Sequence, residues 1–236
     1  MSTKSTQNPI HLIWKSIILI ILILSAYKMA QIAFPYLVPP YPTNIDFLES
    51  KESLFKQRIT ERPFWLIAFY IHISSSVFVL AAGVTQFSKT LMFKYPKVHR
   101  LIGKWYIILI LFVAAPSGLV MAFFGNGGVF AQIAFVCQAV FWWILSYLAY
   151  IYILKGNLEK HGAYMMRSYA MTFSAITLRA MSAVLFWAQK EGYHDVGYPE
   201  SYILLAWVSW IFNLLLAELV LYLGILRYYF KTHRTS

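Results

Sequence analysis

Residues 129–154 read VFAQIAFVCQAVFWWILSYLAYIYIL, from Val129 to Leu154, with no Asp, Glu, Lys, Arg or His among them. A helix of that length rises about 39 Å, more than the roughly 30 Å of bilayer hydrocarbon, so it can cross a membrane. A barrel strand uses only about 10 residues, which excludes the strand reading. Five further apolar runs of spanning length flank it: Leu12 to Phe34, Phe64 to Phe87, Leu101 to Phe124, Ala163 to Ala188, and Tyr202 to Arg227. The punctuation between them agrees. Pro35, Pro39, Pro40 and Pro42 stop the first run, and Pro63 suits the first turn of the second. Gly125-Asn126-Gly127-Gly128 reads as a tight turn between the third and fourth, and Pro116 should kink the third.

Composition restricts the function classes. The chain is 60% hydrophobic, 18% aromatic and 12% charged, with a mean hydropathy of +0.61. A soluble domain carries about 25% charged residues, so a nucleic-acid-binding module, a disordered protein and an ordinary cytosolic enzyme are excluded. The single cysteine, Cys137, rules out an intramolecular disulfide framework and a cysteine-cluster metal site.

The net charge of +11 is a topology signal. With the N-terminus inside, thirteen Lys and Arg fall on the inner side and five on the outer, while seven of the nine acids fall outside. The expected fold is therefore an all-α integral membrane bundle of six transmembrane helices with both termini cytoplasmic. Residues 1–62 form an uncleaved anchor helix and an external loop, in which Thr43 to Gln57 reads as a lid helix. Residues 63–227 form a five-helix membrane domain, and residues 228–236 a basic cytoplasmic tail. The partner implied is a lipid bilayer, not nucleic acid.

Polar residues inside spans point to sites, because burying them is costly unless they are paired or face a wet cavity. His72 lies about 12 Å into the second span, and Arg179 about 13–14 Å from the outer end of the fifth, so they share a depth. Glu218, in the sixth span, lies about 10 Å below them. His72, Ser75, Ser76 and Gly83 make one small polar stripe; Ser168, Thr172, Ala175, Arg179, Ser182 and Ala183 make another. Such stripes allow close helix approach, so the second and fifth spans are expected to face one another. The polar core is expected from the second, third, fifth and sixth spans. Two outcomes are open for these residues. Arg179 pairs with Glu218 while His72 bonds a serine or carbonyl, or the group contacts a ligand. Asn213 is a further interhelical hydrogen-bonding residue.

A second cluster sits at the inner surface, where His99 and Arg100 open the third span and His161 opens the fifth. His161 and Arg179 are 18 residues apart, five full turns, so one helix would join an inner site to an outer one about 27 Å away. His99 and His161 are at equal depth, as the two axial ligands of a b-type heme would be, with Arg100 and Arg167 for its propionates. His72 lacks a second intramembrane histidine, and its pair would have to be completed by a methionine, such as Met181, or by an exogenous ligand. The His72/Arg179 pair would suit a quinone carbonyl or a small anionic or lipid-like ligand equally well. Trp14, Trp65, Trp105, Trp187 and Trp207 read as interfacial belt residues, and Trp142, Trp143 and Trp210 as packing.

Three motifs in order carry a family resemblance. They are His99-Arg100-x-x-Gly103-x-x-Tyr106; His161 through Met165, Arg167-Ser-Tyr-Ala-x-Thr172 to Thr177-Leu-Arg179; and Trp210, Asn213, Leu214, Ala217 and Glu218. Over roughly Pro63 to Leu226 the chain resembles the predicted bacterial membrane proteins catalogued as domain of unknown function 2306. Ala163-Tyr164 departs from that pattern, which has a basic residue and Trp there. The resemblance implies a bacterial cytoplasmic membrane location and a polar set of His72, His99, His161, Arg167, Arg179, Asn213 and Glu218. It implies no reaction. The leading expectation is a heme- or quinone-associated redox component. The alternatives are a non-redox carrier or sensor using Arg179 and Glu218 as a charge-coupled pair, and a structural scaffold.

Overall fold

A computed structural model describes residues 63–193, 197 and 199–224, with Ile20, Leu24, Tyr27, Lys28 and Gln31 as isolated helical positions before them. The rest of the first predicted span, the Thr43–Gln57 lid and the tail lie outside the described residues. Among the described residues there are five helices long and apolar enough to cross a membrane. They are α1 (Pro63–Gln86), α2 (Pro96–Ala122), α3 (Gly128–Leu154), α4 (Leu158–Lys190) and α5 (Glu200–Tyr222). They correspond to the second through sixth expected spans. Successive helices run antiparallel, so the α1–α2 and α3–α4 connections share one end. That end carries Lys94, Lys97, Arg100, Lys155 and Lys160, and we call it the basic end; the other is the far end.

The helix ends follow local chemistry. α1 begins at Pro63, where a missing N–H costs nothing. Gly127 and Gly128 adopt φ of 86° and 77°, the left-handed turn that only glycine accepts cheaply, and α3 starts there. The Asn157 side chain accepts from Lys160 N at 3.0 Å and caps α4. That cap starts α4 five residues earlier than the apolar run suggested and places His161 in its first turn. His161 and Arg179 therefore do lie on one continuous helix.

α2 is interrupted by a π-helical turn at Ile110–Ala114, just before Pro116. The Ala115 N–H reaches back five residues to Ile110 O. In that register Pro116 would serve Leu111 O, but proline has no N–H to give. Leu111 O instead accepts the Trp143 indole N–H at 3.0 Å. The proline expected to kink this helix is thus accommodated by a widened turn and a side chain from α3.

The core is one cluster centred on Val79, Tyr106, Ile110, Met171 and Trp210, with a small alanine seam of Ala131, Ala134 and Ala206 toward the far end. α4 packs chiefly between α3 and α5, and α1 packs chiefly on α2. The expected face-to-face packing of the second and fifth spans is reduced to one crossing nearer the basic end. There the Tyr169 ring lies against Gly83, where any Cβ would collide with it, and the Tyr169 hydroxyl reaches Leu80 O at 3.4 Å. Glycine is required because the two helices approach this closely.

Candidate functional site

The polar residues separate into three levels along the bundle. At the basic end, His161 Nδ1 lies 2.8 Å from the Ala149 carbonyl of α3. A carbonyl can only accept, so Nδ1 carries the proton, and in the neutral ring Nε2 is left as a lone-pair nitrogen. His99, on α2, is close enough that His161 and Arg100 both act on it electrostatically. Its Nδ1 is buried and has no hydrogen-bond partner. The structure therefore places His99, next to Arg100 in sequence, within electrostatic range of His161.

Seven residues further along each helix, about 10 Å deeper, is a closed hydroxyl network. Tyr106 is fully buried, and its hydroxyl lies 3.1 Å from Ser168 Oγ and 3.2 Å from Thr172 Oγ1. Ser168 lies 2.7 Å from Ser146, which donates to Trp142 O at 2.7 Å. The Trp142 indole donates to Thr172 Oγ1 at 3.1 Å, and Thr172 donates to Ser168 O. Each hydroxyl has one proton, and one assignment satisfies all of them: Tyr106 donates to Ser168, Ser168 to Ser146, and Ser146 to the Trp142 carbonyl. The polar centre is thus built by α2, α3 and α4. α3, the fourth expected span, is uncharged and is not among the spans expected to build the polar core. The signal was there in Ser146, the only Ser or Thr in that run.

Toward the far end, His72 Nδ1 lies 2.8 Å from Ala114 O, so it too presents Nε2, 3.4 Å from Ser76 Oγ. The ring is seated against Gly118, where a Cβ would come within 2.8 Å of His72 Cε1. This is the carbonyl bond anticipated for His72. Ser75 turns back to Ile71 O on its own helix and makes no bridge to α4. Arg179 is exposed, donates from Nη1 to Ala175 O at 3.0 Å, and acts electrostatically on His72. The two share a level, as expected.

The expected Arg179–Glu218 pair does not form. Glu218 is held by Arg167 in a two-pronged ion pair, Nε to Oε1 and Nη2 to Oε2, the latter at 2.9 Å. Arg167 also stacks on the Tyr164 ring, 5.1 Å from its centroid. The reason is register. α4 and α5 are antiparallel, so Glu218, near the end of α5, meets the first half of α4 rather than the second. Arg167, assigned from sequence to a propionate, therefore has its guanidinium engaged with a carboxylate. The side chains of Arg167 and Glu218 are 24% and 50% exposed, so this pair lies on the flank of the bundle. Asn213 accepts from Thr177 Oγ1 at 3.0 Å and donates to Ala170 O at 3.2 Å, tying α5 to α4 as a structural residue. Among the described residues no group of three or more His, Cys, Asp or Glu could hold a metal ion.

The family model described as a predicted membrane protein, DUF2306, matches residues 69–221. The chain belongs to this family. The match takes in the three motifs at His99, His161 and Trp210, together with the His72 seat. No curated protein and no solved structure matches the chain. The geometry gives the DUF2306 motifs separate roles. His99 and Arg100 supply the α2 side of the basic-end cluster. Tyr106, Ser168 and Thr172 form the buried network, and Asn213 and Glu218 fasten α5 to α4.

Proposed function

We propose that this DUF2306 protein is a redox component of a bacterial cytoplasmic membrane, with a b-type heme held between His99 and His161. The observation that carries this reading is His161, whose Nδ1 is fixed on a carbonyl so that Nε2 is left as a lone-pair nitrogen, within electrostatic range of His99, whose buried Nδ1 still lacks a partner. An unpaired buried nitrogen costs about 1–3 kcal/mol and calls for a partner. A ring held by an Nδ1–H to carbonyl bond presents Nε2 as axial histidines do. The donor set fits heme: two imidazoles on facing helices, with Arg100 beside them for a propionate. Bound there, heme would supply one-electron exchange, while α2 and α4 would carry the ligand rings and the Ala149 carbonyl of α3 holds His161 in orientation. By the positive-inside rule the basic end faces the cytoplasm, and the full six-span chain has both termini there.

Purified protein supplied with heme should show a Soret band and sharpened visible bands on dithionite reduction. His99→Ala and His161→Ala should each abolish them while leaving a monodisperse elution profile. The absence of a Soret band in heme-supplied wild type rejects the reading, and a band that survives both substitutions rejects the ligands. A purely structural role accounts well for Arg167, Glu218 and Asn213, but it gives no use for the unpaired nitrogen of His99.

A further inference from the structure

The turn joining α3 to α4 gathers cations on an aromatic platform. Tyr152, in the last turn of α3, stacks on Tyr164 of α4, with centroids 5.2 Å apart and planes 11° from parallel. Arg167 lies over Tyr164 and is itself tied to Glu218, which fixes the ring pair from the α5 side. Two ammonium groups lie over Tyr152, Lys155 Nζ at 5.9 Å and Lys160 Nζ at 5.1 Å from the ring centroid. Gly156, at φ 69°, reverses the chain between them, so both like charges converge on one ring. Both lysines are exposed, and so are Leu154 at 65% and Leu158 at 62%. Elsewhere at the basic end Lys94 lies over Tyr95 alone.

An exposed ring attracts each cation only weakly, and like charges brought together repel, so an anion completes the arrangement. Among the described residues no ion pair engages either lysine. From Leu154 to Lys160 the one acid is Glu159, against two lysines, and Glu218 on the same flank is taken by Arg167. The surroundings select the kind of anion. Tyrosines and exposed leucines at the end of a spanning helix belong at the boundary between headgroups and hydrocarbon. A soluble anion gains nothing from Leu154 and Leu158, whereas a phospholipid can lay its acyl chains against them. We propose that Lys155 and Lys160, gathered over Tyr152, bind the phosphate of an anionic membrane phospholipid at the α3–α4 turn. Each ammonium donates to phosphate oxygens. A zwitterionic headgroup brings a cation of its own, which the lysines oppose, so an anionic headgroup is preferred. The lipid braces the turn whose next residue, His161, is held to Ala149 O, and its binding requires no heme.

The test uses the full chain, heme-free and in detergent, with native mass spectrometry reading the affinity of the tightest-bound lipid. Dioleoylphosphatidylglycerol should bind at least about tenfold more tightly than dioleoylphosphatidylcholine, as two lysines facing one anionic headgroup can supply. The double variant Lys155→Gln/Lys160→Gln should bring the two lipids to within about twofold of each other. Lys94→Gln/Lys97→Gln removes the same charge from the same end and should keep the preference. Equal affinity for the two lipids in wild type overturns the proposal, as does a preference that survives Lys155→Gln/Lys160→Gln. Equal loss in both double variants also overturns it, in favour of diffuse attraction by the whole basic end. So does inorganic phosphate or a glutamate-rich peptide that binds through Lys155 and Lys160 while phosphatidylglycerol does not. Should the double variant fail to fold, a photoactivatable phosphatidylglycerol on wild type decides. Labelled peptides must then include residues 152–164, and labelling confined elsewhere overturns the site.

Discussion

The basic-end histidines and the hydroxyl network two turns deeper are built on the same stretches of α2 and α4, yet they are opposites. In the network, every hydroxyl of Tyr106, Ser146, Ser168 and Thr172 and the indole of Trp142 has a partner. At the basic end, His161 is satisfied and His99 is not. A fully paired buried network holds helices in register, whereas a half-paired cluster costs stability unless something else completes it. The difference teaches where to look for a ligand: beside the unpaired atom, not at the densest set of polar groups.

The comparison is most strongly tested by forcing a large side chain into the network. Ser168→Leu should cost about 3 kcal/mol, through overpacking and lost hydrogen bonds. Thermal unfolding in detergent reads this; a variant as stable as wild type would mean the network does not hold the helices. Gly83→Ala should cost about 2 kcal/mol by pushing the Tyr169 ring off α1. An unchanged melting temperature would deny that this crossing is tight. Tyr106→Phe removes one hydroxyl but leaves Ser168 on Ser146 and Thr172 on Trp142. About 1 kcal/mol of destabilisation is expected.

The histidine pair sharpens the contrast with opposite signs. In protein without bound ligand, His99→Leu should be neutral or stabilising by up to about 1 kcal/mol, since it removes an unpaired buried nitrogen. His161→Leu should destabilise by about 1 kcal/mol, because it removes the hydrogen bond from Nδ1 to the Ala149 carbonyl. Equal effects would remove the distinction between the two rings. The smallest effect is expected at the flank, where Glu218→Gln should cost about 0.5 kcal/mol, because the Arg167–Glu218 pair is partly exposed.

Much of the architecture was legible because spanning helices must be long and apolar, and their ends are marked by Pro63, the Gly127–Gly128 turn and the basic residues. Placement was legible wherever position along a helix decides it. That is how His99 met His161, and how His72 and Arg179 came to share a level. It failed where the azimuth and register between helices decide. Glu218 found Arg167 instead of Arg179, and the uncharged α3 supplied Ser146 and Trp142 to the polar centre.

By itself, then, the sequence determined five described membrane helices, the membership in DUF2306 and the order of the polar residues along each helix, since hydropathy, turn chemistry and the 1.5 Å rise are properties of a single segment. Only the tertiary structure decided which buried polar atoms are satisfied. A hydrogen bond between helices depends on the rotation and offset of both, and these are set by packing at contacts such as Gly83 on Tyr169 and Gly118 on His72. Those contacts seat Tyr169 and His72, while the nitrogen of His99 remains buried and unpaired.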